Sequence, residues 1–172
     1  MPARDGTAAV RFTDVGAGAA NMLDADWTLK GLTYANTGGR VQRTTLNGRT
    51  LTVTGTLTSG DHAFTGAIIT GGGTLDLSGA DISIGHGHSS GGSGPTTIIS
   101  GIIVDARKIG NIEIGCGPGT PTDPTSALLD FRRAAFVEGR FNAKSVTLSG
   151  EDRGRLVRAW SGRRSCARSH RW

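Results

Sequence analysis

Apolar and polar positions alternate along this chain in short runs closed by glycine, and four of the runs share one pattern. They are NGRTLTVTG (47–55), GGGTLDLSG (71–79), KIGNIEIG (108–115) and NAKSVTLSG (142–150), with ADISIG (80–85) as a partial echo. Period-two alternation sends Leu51/Val53, Leu75/Leu77, Ile112/Ile114 and Val146/Leu148 to one face of a strand and the intervening Thr, Asp, Glu and Ser to the other. The closing glycines at 55, 79, 115 and 150 mark places where the chain bends sharply or takes positive φ, which a Cβ would oppose. Their spacing of 24, 36 and 35 residues fits stacked-coil proteins whose later coils carry insertions. Further strands are predicted over 8–13, 27–34, 64–70, 97–104 and 134–141. The stretch 126–138, SALLDFRRAAFVE, reads either as strand or as one helical turn. Two Gly/Pro/Ser/Thr-rich loops, 85–97 and 115–126, separate the later strands and should project from one side of the stack.

Composition narrows this picture. Glycine contributes 28 of 172 residues without a Gly-X-Y period, which excludes collagen, and the alternating β-branched runs argue against low-complexity disorder. With one Tyr, three Trp and five Phe, the core must be layered from aliphatic side chains, which suits a β-solenoid better than a globule. The length fits one structured unit. Residues 1–152, the predicted solenoid domain, hold 12 Lys+Arg against 14 Asp+Glu, whereas the seven arginines of 153–172 face no acid. The net charge of +5 therefore describes a basic tail. That tail is predicted to be a disordered appendage or the product of a non-native reading frame, able to bind anions weakly and without specificity. Cys116 and Cys166 lack the spacing of a zinc site or a disulfide framework and read as free thiols. Neither a signal peptide nor an apolar stretch of membrane-spanning length is visible.

The segment TGAIITGGGTLDLSG (65–79), and with it TTLNGRTLTVTGTLTSG (44–60), resembles the Gly-Gly-Thr-Leu-x-Leu repeat of autotransporter-associated β-strand segments in secreted passenger domains of bacterial surface proteins. The resemblance covers about a third of the chain. It implies an all-β, right-handed β-solenoid (β-helix) of a few coils, with an extracellular or cell-surface location. It also implies that a chain with neither leader nor translocator barrel is a fragment or truncated copy of such a protein.

Candidate chemistry is sparse. His86 and His88, with His62 upstream, form an HxH pair that an extended strand would hold on one face at chelating distance, yet no third or fourth ligand accompanies them in a Gly/Ser loop. Asp76, Asp81, Asp105 and Glu113 lie on or beside repeat strands, where carboxylates can serve as acid/base pairs or simply solvate an outer face. Thr50, Thr52, Thr54, Thr56 and Thr58 form an alternating row of the kind that orders water on flat solenoids, but later coils do not repeat it. Glycine-rich stretches at 16–21 and 70–74 lack the Lys-Ser/Thr and following helix of a phosphate loop. No catalytic residue, metal site or cofactor is predicted. The expected role is a non-enzymatic structural or presenting segment of adhesin or passenger type, meeting a surface glycan or cell-surface ligand through loops 85–97 and 115–126. Its open ends should be prone to self-association. The alternatives are a carbohydrate-active β-helix, such as a polysaccharide lyase, a hydrolase or a phage tailspike fragment, and a non-functional truncated gene product.

Overall fold

A computed structural model describes residues 3–13, 20–35, 41–59, 66–85, 96–114, 128–148 and 155–157. The described residues form thirteen strands and no helix. In chain order they are β1 (Ala9–Thr13), β2 (Ala20–Met22), β3 (Trp27–Ala35), β4 (Gln42–Thr45), β5 (Thr50–Ser59), β6 (Ala67–Thr70), β7 (Thr74–Asp76), β8 (Asp81–Ile84), β9 (Thr96–Ile99), β10 (Ile103–Ile114), β11 (Leu128–Asp130), β12 (Ala135–Leu148) and β13 (Arg155–Val157).

All strand pairings are parallel, and they build two sheets. Sheet 1 runs β1-β3-β5-β7-β10-β12, with β8 continuing the line of β7 between β5 and β10, and sheet 2 runs β2-β4-β6-β9-β11-β13. The chain visits the sheets alternately, and each visit adds the next strand in spatial order. One pass is therefore a strand of each sheet. Its length is read from the row Val10, Leu32, Leu57, Ile82, Ile112, Val146, in which successive passes take 22, 25, 25, 30 and 34 residues.

Period-two alternation decides what fills the space between the sheets. Inward residues stack rung on rung: Trp27, Leu51, Leu75, Val104 and Phe136 form one row of sheet 1, and Asn21, Thr44, Ile69 and Ile99 form one row of sheet 2. The middle rungs Leu51, Val53, Leu57, Leu75, Ile82, Ile112 and Ile114 are buried, and each fully buried aliphatic side chain contributes about 1.5–3 kcal/mol. Val146 departs from the expected pattern. It is 46% exposed and stands on the last described strand of sheet 1, with no described rung above it. The few polar core groups are partly matched: the buried Tyr34 hydroxyl lies 2.7 Å from Thr44 Oγ1, and Gln42 Nε2 donates to the Thr13 carbonyl.

Several sequence expectations change. The run 97–104 is two strands, since Gly101 at φ +67° turns the chain from β9 into β10. The stretch 126–138 resolves into β11, a corner at Arg132–Arg133 and the start of β12. Gly55 closes nothing. It sits inside β5, where a Cβ would fall 2.2 Å from the Lys30 carbonyl oxygen, so close backbone approach is what requires glycine there. The 36-residue step between repeats is also more than one pass. Leu51 pairs with Leu75, but Ile112 and Ile114 pair with Ile82 and Ile84, so the third repeat stacks on the partial echo and occupies the other half of sheet 1. Finally, Arg155–Val157, within the expected disordered tail, pair in register with Leu128–Asp130, while 158–172 lie outside the described residues.

The two ways of crossing between sheets differ. From sheet 2 to sheet 1 the chain needs three or four residues: 23–26, 46–49, 71–73, 100–102 and 131–134. These corners are hydrogen-bonded through the stack: Leu23 N to Thr45 O and Leu46 N to Thr70 O reach the strand ends beside the next corner, and Gly72 N to Gly101 O and Gly101 N to Arg133 O join corner to corner. The return connections, 14–19, 36–41, 60–66, 85–95, 115–127 and 149–154, take six to thirteen residues. Each joins the end of a sheet 1 strand to the start of a sheet 2 strand, so all six leave from the same side of the stack.

Candidate functional site

The outer face of sheet 1 carries the carboxylates that the sequence offered as candidates, and register brings some of them together. Asp5, Thr28, Thr52, Asp76 and Asp105 form one row across successive strands. The three aspartates in this row make the same local bond. Asp5 Oδ1 accepts from Thr7 N at 3.0 Å, Asp76 Oδ1 from Ser78 N at 2.9 Å and Asp105 Oδ1 from Arg107 N at 3.2 Å. A carboxylate that accepts the amide two residues ahead stands in for a ladder bond where the strand kinks. Here β10 shifts register against β12 on either side of Ala106. Asp81 does the same work across strands, accepting Asn111 N at 2.6 Å and Asn111 Nδ2 at 3.2 Å. It reaches them because Gly110 has no Cβ, which would lie 2.3 Å from Asp81 Oδ1.

Electrostatics follows from these bonds. Stacking Asp76 on Asp105 sets like charges on neighbouring rungs, and Arg107 offsets this by donating Nε and Nη2 to Asp105 at 3.0 and 2.7 Å. The Arg107 guanidinium, together with its own backbone amide, holds the Asp105 carboxyl below the ordinary carboxylate range. Arg107 also bonds Glu138 Oε1 at 2.9 Å, and its own pKa is raised by the pairing with Asp105. A general acid needs the opposite shift, toward neutrality, so the pairing moves Asp105 away from that role. Asp5 is likewise lowered, chiefly by the Thr7 hydroxyl.

The chain matches no known protein family, no curated protein and no solved structure. Assignment therefore rests on the arrangement of its own residues.

The remaining sequence candidates fare differently. Glu113 lies on the row Arg11, Thr33, Thr58, Ser83, Glu113, Thr147, in register apart from the aspartates. The threonines of β5 face outward, as expected, but on the next strand only Thr50 meets another threonine, Thr74, while Thr52, Thr56 and Thr58 meet Asp76, Asp81 and Ser83. His62, His86 and His88, most of loops 85–97 and 115–126, Cys116 and Cys166 lie outside the described residues. Among the described residues no group of three His, Cys, Asp or Glu could hold a metal. No described helix is long and apolar enough to cross a membrane.

Sequence reasoning missed a concave site at the beginning of the stack. A cavity of about 200 Å³ opens there, walled by Val10, Phe12, Trp27, Leu29, Leu32 and Leu51. Its mouth carries Asp24, which accepts from Arg4 Nη2 at 2.8 Å and from Trp27 Nε1 at 3.2 Å, and the Arg4 guanidinium lies 4.7 Å from the Trp27 ring centroid. The signal in the sequence is slight. The aliphatic walls stand at alternating positions of β1, β3 and β5, so the sequence does not distinguish them from the fully buried rungs beside them.

Proposed function

We propose that the chain is a segment of a right-handed β-solenoid with a structural, presenting role in a bacterial secreted or cell-surface protein of adhesin or passenger type. The observation that carries this reading is the asymmetry of its crossings. Strict alternation between two parallel sheets makes a regular rod, and every long connection leaves from one side of it. Right-handedness follows from the strong preference of parallel crossover connections. The surface location follows from the resemblance of 44–60 and 65–79 to passenger-domain repeats. Variable loops on a rigid scaffold are where recognition commonly resides, and a surface glycan or cell-surface ligand is the partner class that suits such a rod. The carbohydrate-active alternative has weaker support. Asp76, Asp81 and Asp105, the residues it would need, are committed to backbone amides, and Asp105 is shifted away from acid/base work.

The test is to replace residues 86–95 and, separately, 116–126 with short Gly-Ser linkers, then measure far-UV circular dichroism and binding to a glycan array and to cell surfaces. Retained β-structure with lost binding supports the reading. Binding unchanged in both variants contradicts it, as does hydrolysis of an acidic polysaccharide that is abolished in Asp105→Ala.

A further inference from the structure

The cavity at the beginning of the stack combines an apolar interior with polar groups that the fold leaves unused. Asn21 lines it, standing inward on β2 in the row Asn21, Thr44, Ile69, Ile99, and its Nδ2 is buried with no hydrogen-bond partner among the described residues. A buried amide donor without an acceptor is destabilising, and native structures rarely keep one. Thr44, on the adjacent strand about 4.8 Å away, also lines the cavity. Its hydroxyl is joined to that of Tyr34 by a single hydrogen bond of 2.7 Å, so one O–H of the pair is spent and the other is not. With the fully buried Tyr34 as donor, the Thr44 O–H is left to turn toward the cavity. Two donors thus stand side by side on the sheet 2 wall, and a carbonyl oxygen, with two lone pairs, can accept from both.

The opposite wall is apolar and fixed in place. Phe12 stacks on Tyr34, with ring centroids 5.5 Å apart and planes inclined by 25°. Trp27 is held by its Nε1–H on Asp24 and by the Arg4 guanidinium over its ring. Met22 also lines the cavity and is 66% exposed, so its flexible thioether can adjust to an occupant.

Size and charge narrow the occupant. An apolar cavity of about 150 Å³ holds a benzene molecule, so one of about 200 Å³ holds a six-membered ring with a short substituent. Among the described lining residues only Asp24 carries a charge, and it already accepts from Arg4 and Trp27. A charged occupant would give up its hydration without a partner in the wall. Water alone would satisfy Asn21 but leave the aliphatic walls wet, and an apolar side chain from a neighbouring molecule would fill the space but leave Asn21 without an acceptor.

We propose that this cavity binds a small, neutral molecule with an apolar ring and one carbonyl oxygen, the ring lying against Phe12, Trp27 and Leu29 and the oxygen accepting from Asn21 Nδ2 and the Thr44 hydroxyl. The site goes beyond the presenting role proposed above and does not depend on it.

The experiment is nuclear magnetic resonance on the full chain with isotope-labelled Leu and Val methyl groups. The probes are acetophenone, ethylbenzene, which has no acceptor, and benzoate, which replaces the ketone by a carboxylate. Acetophenone is expected to shift the methyls of Val10, Leu29, Leu32 and Leu51 saturably, with a Kd of about 0.1–1 mM. The methyls of Val104 and Leu129, further along the stack, should stay in place. Benzoate should not bind. Asn21→Leu, which removes the donor and keeps the bulk, should lower the ratio of the ethylbenzene Kd to the acetophenone Kd by about tenfold. Asn21→Ala is the second variant, and both are first checked by circular dichroism. The site is overturned by the absence of a saturable shift up to about 10 mM acetophenone, or by shifts spread over methyls throughout the stack. Benzoate binding as tightly as acetophenone, or an unchanged ratio in a folded variant, overturns the assigned chemistry. Each of these results leaves the solenoid reading standing.

Discussion

The two sides of the stack solve the same problem, moving the chain from one sheet to the other, in opposite ways. On one side, corners of three or four residues repeat pass after pass and bond to the corners or strand ends above and below. The backbone there has little room: Gly71, Gly72 and Gly73 all have positive φ, and a Cβ on Gly73 would lie 2.3 Å from the Arg49 carbonyl oxygen. On the other side six residues suffice for three of the crossings, yet those at 85–95 and 115–127 take eleven and thirteen. The lesson is that the spacing of successive strands is set on one side of the stack, and the other side is left to accommodate insertions.

Breaking a tight corner should have the largest effect. Gly73→Ala is expected to destabilise the chain by about 4 kcal/mol, through strain at positive φ and collision with Arg49, as read by urea denaturation. Gly72→Ala, with nothing within 4 Å of the new Cβ, should cost only about 1–2 kcal/mol. Equal losses would mean that φ alone, and not stacking of corner on corner, is what matters.

The kink in sheet 1 should be intermediate. Asp105→Ala leaves the Arg107 amide without its acceptor and is expected to cost about 1–2 kcal/mol. The pH dependence follows from the direction of the shift. Asp105 has a folded pKa below its ordinary 3.8, so its contribution is complete above that value and is lost as pH falls through the folded pKa. Asp105→Asn should therefore flatten the stability curve below about pH 4, where the wild type declines. Parallel curves for the two proteins would show that the Arg107 pairing does not contribute.

The long crossings should matter least. Shortening 85–95 to six residues, the length that already suffices at 14–19, is expected to change stability by less than about 1 kcal/mol, since loop closure depends only weakly on length. A loss as large as that of Gly73→Ala would make the two sides equivalent and remove the comparison.

Much of sheet 1 was legible in the sequence because its strands alternate cleanly, as in Leu51/Val53 and Leu75/Leu77. Sheet 2 was harder to see. Ala20–Met22 and Gln42–Thr45 are short and polar, and become strands only because each lies beside a neighbour already in place; Asn21, Gln42 and Thr44 even turn polar groups toward the core side. Register was hidden for a different reason. NIEIG resembles TLDLSG in pattern but stacks on DISIG, and local pattern carries no information about which half of a long strand a segment will meet. The cavity was invisible because its walls, Val10, Phe12, Trp27, Leu29, Leu32 and Leu51, alternate like the buried rungs and come together only when β1, β3 and β5 pair.

The central claim is that successive passes advance one strand at a time along a parallel stack. Pulsed electron paramagnetic resonance tests it directly, with spin labels on the outward row that holds Arg11, Thr33, Thr58, Ser83, Glu113 and Thr147, in a background where Cys116 and Cys166 are replaced by Ser. With one label fixed at position 11 and the second moved to 83, 113 and 147, the distance should rise by about 4.8 Å per strand, to roughly 14, 19 and 24 Å. Distances that do not increase along the row, or that place 147 nearer to 11 than 83 is, would contradict the stack.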